Sequence, residues 1–228
     1  MSLVRLAGNG FGGIVEGNFG IYQAASDGTF TVDTRDAPSC LQIGMNYISI
    51  TNLQYAPPIP PAAAAVGGVV SSGALSNGTI AVSTQPTVMR PVTFEVGTGT
   101  GAITAGTATI VYVGNDGQID TDVLSLVCSA SSSVTQYLSR GVVTISSITI
   151  AGLTGGTSPW ARMSTTATLS MPVEPGAVDF TVNREYDNNA TIAVGALLST
   201  VLGSITPTTA PNATLNYSFS YTYVSPIL

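Results

Sequence analysis

The chain contains no histidine and no lysine. Those two absences remove serine–histidine triads, serine–lysine dyads, Schiff-base lysines and histidine-ligated metals. Charge of either sign is scarce: acidic and basic residues make up 8% of the chain, against roughly 25% in an ordinary globular protein. The basic residues are all arginines (Arg5, Arg35, Arg90, Arg140, Arg162 and Arg184), they are scattered, and the net charge is −6. A phosphate backbone or an anionic lipid surface needs clustered cations, so neither nucleic acid nor membrane is an expected partner. Only Cys40 and Cys128 are present, too few for a disulfide framework. They read as buried reduced thiols, with one long-range disulfide as the alternative. No apolar run reaches the ~18 residues of a membrane helix, and the longest, Ala62–Val70, follows prolines. The opening residues lack a basic segment followed by an apolar one, so no secretory signal is expected.

What remains is a 228-residue chain of mean hydropathy +0.39, rich in Gly, Ser, Thr and Ala. That length suits one large β domain, or one domain with an appended arm. A surface so poor in charge is either solvated by Ser, Thr, Asn and Gly or covered by neighbouring subunits, and a stable assembly is the expectation. Residues 1–55 read as an N-terminal arm with a small β segment. Within them Thr29–Val32 and Tyr47–Thr51 suggest strands, and Asp36 with Pro38 suggests a helix over Ala37–Ile43. Residues 56–78 are rich in Pro, Ala and Gly and read as a linker or an arm laid over something else. Residues 79–228 read as a β-sandwich domain.

The pattern in that last region is period two. In Thr107–Val113, Ala108, Ile110 and Tyr112 share one face and Thr109, Val111 and Val113 the other. Two largely apolar faces suggest a strand buried on both sides or covered by a neighbour. Past the Asn115-Asp116-Gly117 turn, Asp120 and Asp122 give way to Leu124 and Leu126 on one face, so the strand passes from solvent into a core. The whole turn, Asn115–Asp122, reads as a solvated tip. Val142–Ile150 is another long strand. The final strand is the clearest: Leu215, Tyr217, Phe219, Tyr221 and Tyr223 on one face, Asn216, Ser218, Ser220 and Thr222 on the other. Leu197, Leu198, Val201 and Leu202 sit at helical spacing and suggest a short helix. The fold class expected is all-β: an antiparallel sandwich or jelly-roll-like domain with an extended N-terminal arm region.

Little in the chain points to chemistry. Asp120 and Asp122 could approach the ~5–9.5 Å separation of a glycosidase pair, or with Asp116 hold Ca²⁺. No cleft or EF-hand spacing accompanies them, and a solvated hairpin end is the simpler reading. Asp179, Arg184, Glu185 and Asp187 read as an exposed loop, or as an interface patch facing arginines on a neighbour. The N-x-[ST] sequons at Asn77, Asn189, Asn212 and Asn216 are what composition alone would produce. Trp160, Tyr137 and the Tyr217–Tyr223 face could form a sugar platform, although the final strand's aromatics read as core; Trp160, after a glycine-rich loop and a proline, is the better candidate for an exposed anchor, with packing within the protein or against a subunit the favoured reading. No catalytic residue, cofactor or metal ligand is expected, and the chain reads as a non-enzyme.

Several runs carry a resemblance. QPTVMRPVTFEV (Gln85–Val96), AITAGTATIVYVGNDGQIDTDVLSL (Ala102–Leu126) and VVTISSITIAG (Val142–Gly152) resemble a β domain of tailed-bacteriophage virion proteins. Its form is a proline-arginine opening, a strand, an ITAGT segment, a hairpin with an Asn/Asp-Gly tip, and a strand running from acidic residues into leucines. GSITPTTAPNATLNYSFSYTY (Gly203–Tyr223) resembles the close of such domains, although Asn212-Ala213 stands where Asp-Gly is usual. DGTFTVDTRDAPSCLQIGM (Asp27–Met45) is similar to a segment of small phage structural proteins. The resemblance implies a capsid decoration or cement protein on the exterior of the virion, made in the host cytoplasm. It implies the major capsid protein and further copies of itself, as a homotrimer, for partners, and no catalytic residues. The contact residues expected on that reading are Phe11, Phe19 and Tyr22 in the arm, Pro57, Pro58, Pro60 and Pro61 in the linker, and Trp160 and Arg162. A tail or fibre component, or a host-surface adhesin with a carbohydrate-binding sandwich, is the alternative.

Overall fold

A computed structural model describes residues 22–24, 30–32, 47–174, 176–188 and 190–226. All the regular structure among them is β, as the alternation predicts. The strands are β1 (Tyr22–Ala24), β2 (Phe30–Val32), β3 (Tyr47–Tyr55), β4 (Ala65–Ala74), β5 (Gly78–Ile80) and β6 (Val92–Gly97). They continue as β7 (Thr100–Gly114), β8 (Ile119–Ser125), β9 (Ser133–Tyr137), β10 (Val142–Thr157), β11 (Trp160–Thr165) and β12 (Leu169–Ser170). The last five are β13 (Val178–Asp187), β14 (Ala190–Ile192), β15 (Ala196–Leu197), β16 (Ser204–Thr206) and β17 (Tyr217–Pro226). β1 and β2 form a small hairpin. The helix expected over Ala37–Ile43 lies outside the described residues, as do Phe11, Phe19 and Cys40.

Two hydrophobic cores organise the rest. The first lies between a β5-β10-β7-β8 sheet and a β4-β11-β6-β9 sheet. Alternation puts Ala108, Ile110 and Tyr112 of β7 inside, beside Ile145, Ile148 and Ile150 of β10, facing Val92, Phe94 and Val96 of β6. Leu126 and the free thiol of Cys128 join them from beyond β8. β10 runs the length of β7 with several register shifts. Gly155 and Gly156 take φ values of 78° and 75°, which relieves the backbone where the irregularities fall.

The second core lies against a β14-β13-β17-β3 sheet and a β12-β16-β15 sheet. Tyr217, Phe219, Tyr221 and Tyr223 of β17 are all buried, as their spacing predicts. Tyr217 stacks on Phe219 at 6.1 Å and Phe180 of β13 meets Tyr221 at 5.7 Å. Buried tyrosine hydroxyls need acceptors. Tyr217 donates to the Thr209 carbonyl at 2.7 Å and Tyr221 to the Pro172 carbonyl at 2.8 Å.

Several expectations are corrected. Ala65–Ala74, inside the stretch read as a linker, is a strand paired with β11, and it sends Val69 and Val70 into the first core. The expected helix over Leu197–Leu202 is a tight β15–β16 turn, closed by Leu198 N–H to Ser204 O (2.9 Å) and Val201 N–H to Leu198 O (3.2 Å). Apolar spacing there reflects a turn that tucks Val201 inward and leaves Leu197 exposed. Asn115 of the β7–β8 turn is 2% exposed, not solvated. Its Nδ2 donates to the carbonyls of Met171 (3.1 Å) and Leu202 (2.9 Å), and its own backbone carbonyl accepts from Val173 N–H (3.1 Å). The turn therefore reaches from the first core into the second and stitches them together. Gly203 sits beneath it: a Cβ there would stand 2.7 Å from Asn115 Nδ2. Gly117 and Gln118 are the part of the turn that does face solvent.

Side-chain amides also finish the borders of the first sheet. Where β5 stops, Gln85 brackets Ile145 of β10, accepting from its N–H (2.8 Å) and donating to its carbonyl (2.9 Å). At the opposite border Gln136 Nε2 donates to the Ser125 carbonyl of β8 at 2.7 Å.

Candidate interaction site

The outer face of the β4-β11-β6-β9 sheet carries two of the expected contact residues together. Trp160 and Arg162 alternate outward along β11, on either side of inward Ala161. Trp160 is half-buried: its indole lies across Gly97 of β6, its register partner, where a Cβ would collide with the ring. The Arg162 guanidinium stands over the same ring at 5.3 Å. Arg162 also pairs with Glu95, with Nη2 2.6 Å and Nε 2.7 Å from Oε2. Glu95 Oε1 accepts from Ser133 Oγ at 2.8 Å. Trp160, Arg162, Glu95 and Ser133 are thus a pre-ordered cluster spanning β11, β6 and β9. Trp160 is packed within the chain, the favoured of its two readings, and Tyr137 on β9 is the exposed aromatic of that face.

The linker prolines differ from one another. Pro61 is buried and its carbonyl accepts from Ala213 N–H at 2.8 Å, tying the segment to the loop before β17. Pro57 and Pro60 are half-buried and Pro58 is exposed. The side chain of Tyr22 is outside the described residues.

Asp122 and Asp116 have structural partners, while Asp120 Oδ2 is buried with no hydrogen-bond partner among the described residues. Asp122 accepts from the Tyr112 hydroxyl (2.9 Å), from Ser139 N–H (2.7 Å) and from Ser139 Oγ (2.8 Å), joining β8 to the β9–β10 connection. Asp116 accepts from Gln118 N–H at 3.0 Å and lies 3.8 Å from Arg140 Nε. Burial, and then the neighbouring Asp116, hold the Asp120 carboxyl above its ordinary range. Among the described residues no group of three or more His, Cys, Asp or Glu side chains converges as metal ligands would.

Glu185 and Asp187 are not on an exposed loop. They alternate inward on β13 and are buried. Glu185 is clamped by Gly195 N–H (2.7 Å) and Thr208 N–H (2.9 Å). Burial raises its pKa, and those two backbone donors partly offset the rise. Among the described residues, neither carboxylate oxygen of buried Asp187 has a hydrogen-bond partner. Nearby Tyr217 has its hydroxyl pushed up to about 12, by burial first and then by the two carboxylates. Charged residues two apart mimic a loop in sequence, and nothing local shows that Gly195 and Thr208 fold back over one of them.

Arg90 is the most consequential residue that sequence reasoning left without a role. It is buried at the start of β6, donating to Thr166 O (3.1 Å) and Ala62 O (3.0 Å) while its backbone pairs with Val142. It binds the proline–alanine segment to the β11–β12 connection. Burial lowers its pKa. A neighbouring proline, Pro91, is the only local sign of such a position.

Comparison with known protein families, curated sequences and solved structures gives no match.

Proposed function

We propose that this chain is a non-catalytic structural protein of a tailed-phage virion that binds the outside of the capsid shell and stabilises it. The reading is supported by where the resembling runs fall. The proline-arginine opening leads into β6, the ITAGT run and the Asn-Asp-Gly turn build the β7–β8 hairpin, and the ITSIT-like run is β10. Those strands frame the first core, while the closing run ends in β17, the centre of the second. The motifs thus fall on the framework of a rigid double-cored block.

Shell stabilisation by such a block is mechanical: binding the assembled state alone shifts its equilibrium toward assembly by mass action. The major capsid protein is the proposed partner, with several copies of this chain, as a homotrimer, engaging it together. The Trp160–Arg162–Glu95 face and exposed Pro58 are the proposed contacts within the described part of the chain. The test is to incubate purified protein with shells lacking it. Co-sedimentation with a raised shell melting temperature is expected; free protein in the supernatant and unchanged shell melting would reject the proposal.

A further inference from the structure

The other outer face of the first core, on the β5-β10-β7-β8 sheet, is chemically unlike the Trp160 face. The register aligns Val113 with Ile119, Val111 with Thr121, and Thr109 with Val123 across β7 and β8. Thr144, Ser147 and Thr149 of β10 sit opposite the same β7 residues. No charged side chain stands on this face among those aligned positions. Ile119 is 73% exposed and Val123 63%, and Val127 continues the row just past the strand. The β7–β8 register is unbroken from Thr107↔Ser125 to Val113↔Ile119, whereas β10 shifts against β7 between Val142 and Thr144 and between Ile145 and Ser147, so the irregularity of this face lies on its β10 side.

Isolated exposed aliphatics need no explanation, but Val111, Val113, Ile119 and Val123 stand together among Ser and Thr on one charge-free face. Strands rising ~3.3 Å per residue and ~4.8 Å apart give β10, β7 and β8, over the length of β8, a planar footprint of roughly 330 Å². That is about two-fifths of the ~800 Å² each partner contributes to a stable interface. It is the size expected of the charge-depleted centre of such an interface, leaving the remainder to a polar rim. The occupant must cover it without bringing a charge that would lose its hydration there. The chain carries a net charge of −6, but none of it lies on these aligned positions, so two copies can meet here without placing like charges together. Twisted antiparallel sheets pack face to face ~10 Å apart with their strands within about 30° of one another.

We infer that the outer face of the β5-β10-β7-β8 sheet is an interface with a second copy of this chain, centred on Val111, Val113, Ile119 and Val123. The inference stands on this face alone and does not depend on what the assembly binds.

Sedimentation velocity over a wide concentration range tests it on the full chain. The wild type is expected to run as a dimer or trimer of the 23.1 kDa chain. Val123→Arg and Ile119→Arg place charge at exposed positions that the monomer fold tolerates. Each should weaken self-association on the order of a hundredfold or more with an unchanged far-UV spectrum. Thr135→Arg, on exposed β9 of the opposite sheet, should leave the assembly intact. A wild type that is monomeric at every concentration overturns the inference. So does an assembly that survives both face variants, or one lost equally in Thr135→Arg. Shell binding by a monomeric wild type would overturn this inference while leaving the proposed function standing.

Discussion

The two cores solve the same problem with different chemistry. The first is filled by Val, Ile, Leu, Phe94 and Met163, and its one tyrosine reaches Asp122 and Ser139 at the margin. The second is built on tyrosines and admits polar groups: Glu185 and Asp187 inside β13, the Ser170–Ser204 hydroxyl pair at 2.7 Å, and the Thr168–Thr206 pair at 2.8 Å. Apolar burial alone can hold the first. The second depends on its buried polar groups finding partners, because an unsatisfied one costs about 1–3 kcal/mol, and Glu185 finds two where Asp187 has none among the described residues. The first core should therefore respond to lost volume and the second to pH and to lost hydrogen bonds. Trp160, the only tryptophan, reports on the first unit, and Tyr217–Tyr223 on the second.

The largest expected effect is from Phe94→Ala, which empties the middle of the first core and should cost about 3–5 kcal/mol. If the cores are one cooperative unit, the tryptophan fluorescence and tyrosine near-ultraviolet transitions shift together. A tyrosine transition left in place would show that they unfold separately.

Asn115→Ala removes the stitch between them. It leaves the Met171 and Leu202 carbonyls without their donor, at a cost of about 1–3 kcal/mol. The two spectroscopic transitions should separate in chemical denaturation; coincident midpoints in the variant would mean that the seam is held by other contacts.

Gly97→Ala sharpens the surface side of the comparison. The new methyl must displace the Trp160 indole, and should cost about 1–2 kcal/mol. A red-shifted tryptophan emission and weakened Arg162–Glu95 pairing are expected, with the tyrosine signal unchanged.

The smallest effect is from Glu185→Gln, and it concerns pH. Burial raises the Glu185 pKa above its ordinary value of 4.5. Protonation thus favours the folded state: the stabilisation is fully present below the unfolded pKa and is lost as pH rises through the folded one. Tyrosine-monitored stability should fall across that window, by at most about 1.4 kcal/mol per pH unit for one proton. In the variant an amide NH₂ replaces one of the two accepting oxygens, so the side chain no longer accepts from Gly195 and Thr208 together. It should lose about 1 kcal/mol and this part of the pH slope. An identical slope in variant and wild type would assign the dependence to another group.

Where side chains alternate along one strand, the sequence was legible. Tyr217 to Tyr223 and Ala108 to Tyr112 went inside because period two leaves no other choice once one face is apolar. On the other face of β7, which the sequence also reads as largely apolar, Val111 and Val113 stand half-buried. What failed depends on distant partners. Asn115 has the composition of a solvated turn, and only the Met171 and Leu202 carbonyls make it a clamp. Glu185 reads as surface until Gly195 and Thr208 are brought over it. β4 is hidden because Ala, Gly and Ser give a strand little propensity of its own, and pairing with β11 decides it. Packing is the favoured reading of Trp160 in the sequence, but nothing beside it announces that Gly97, in another strand, offers the bare backbone on which the ring lies.

Gln85 has a consequence for how large an object this sheet can become. By occupying both hydrogen-bonding groups of Ile145, it works as an end stop on the ladder, and Gln136 blocks a rung at the opposite border. Sheets that can recruit a further strand are open to runaway fibre growth. Gln85 and Gln136 each remove a rung that an incoming strand would need, so growth in the plane of this sheet has fewer places to begin.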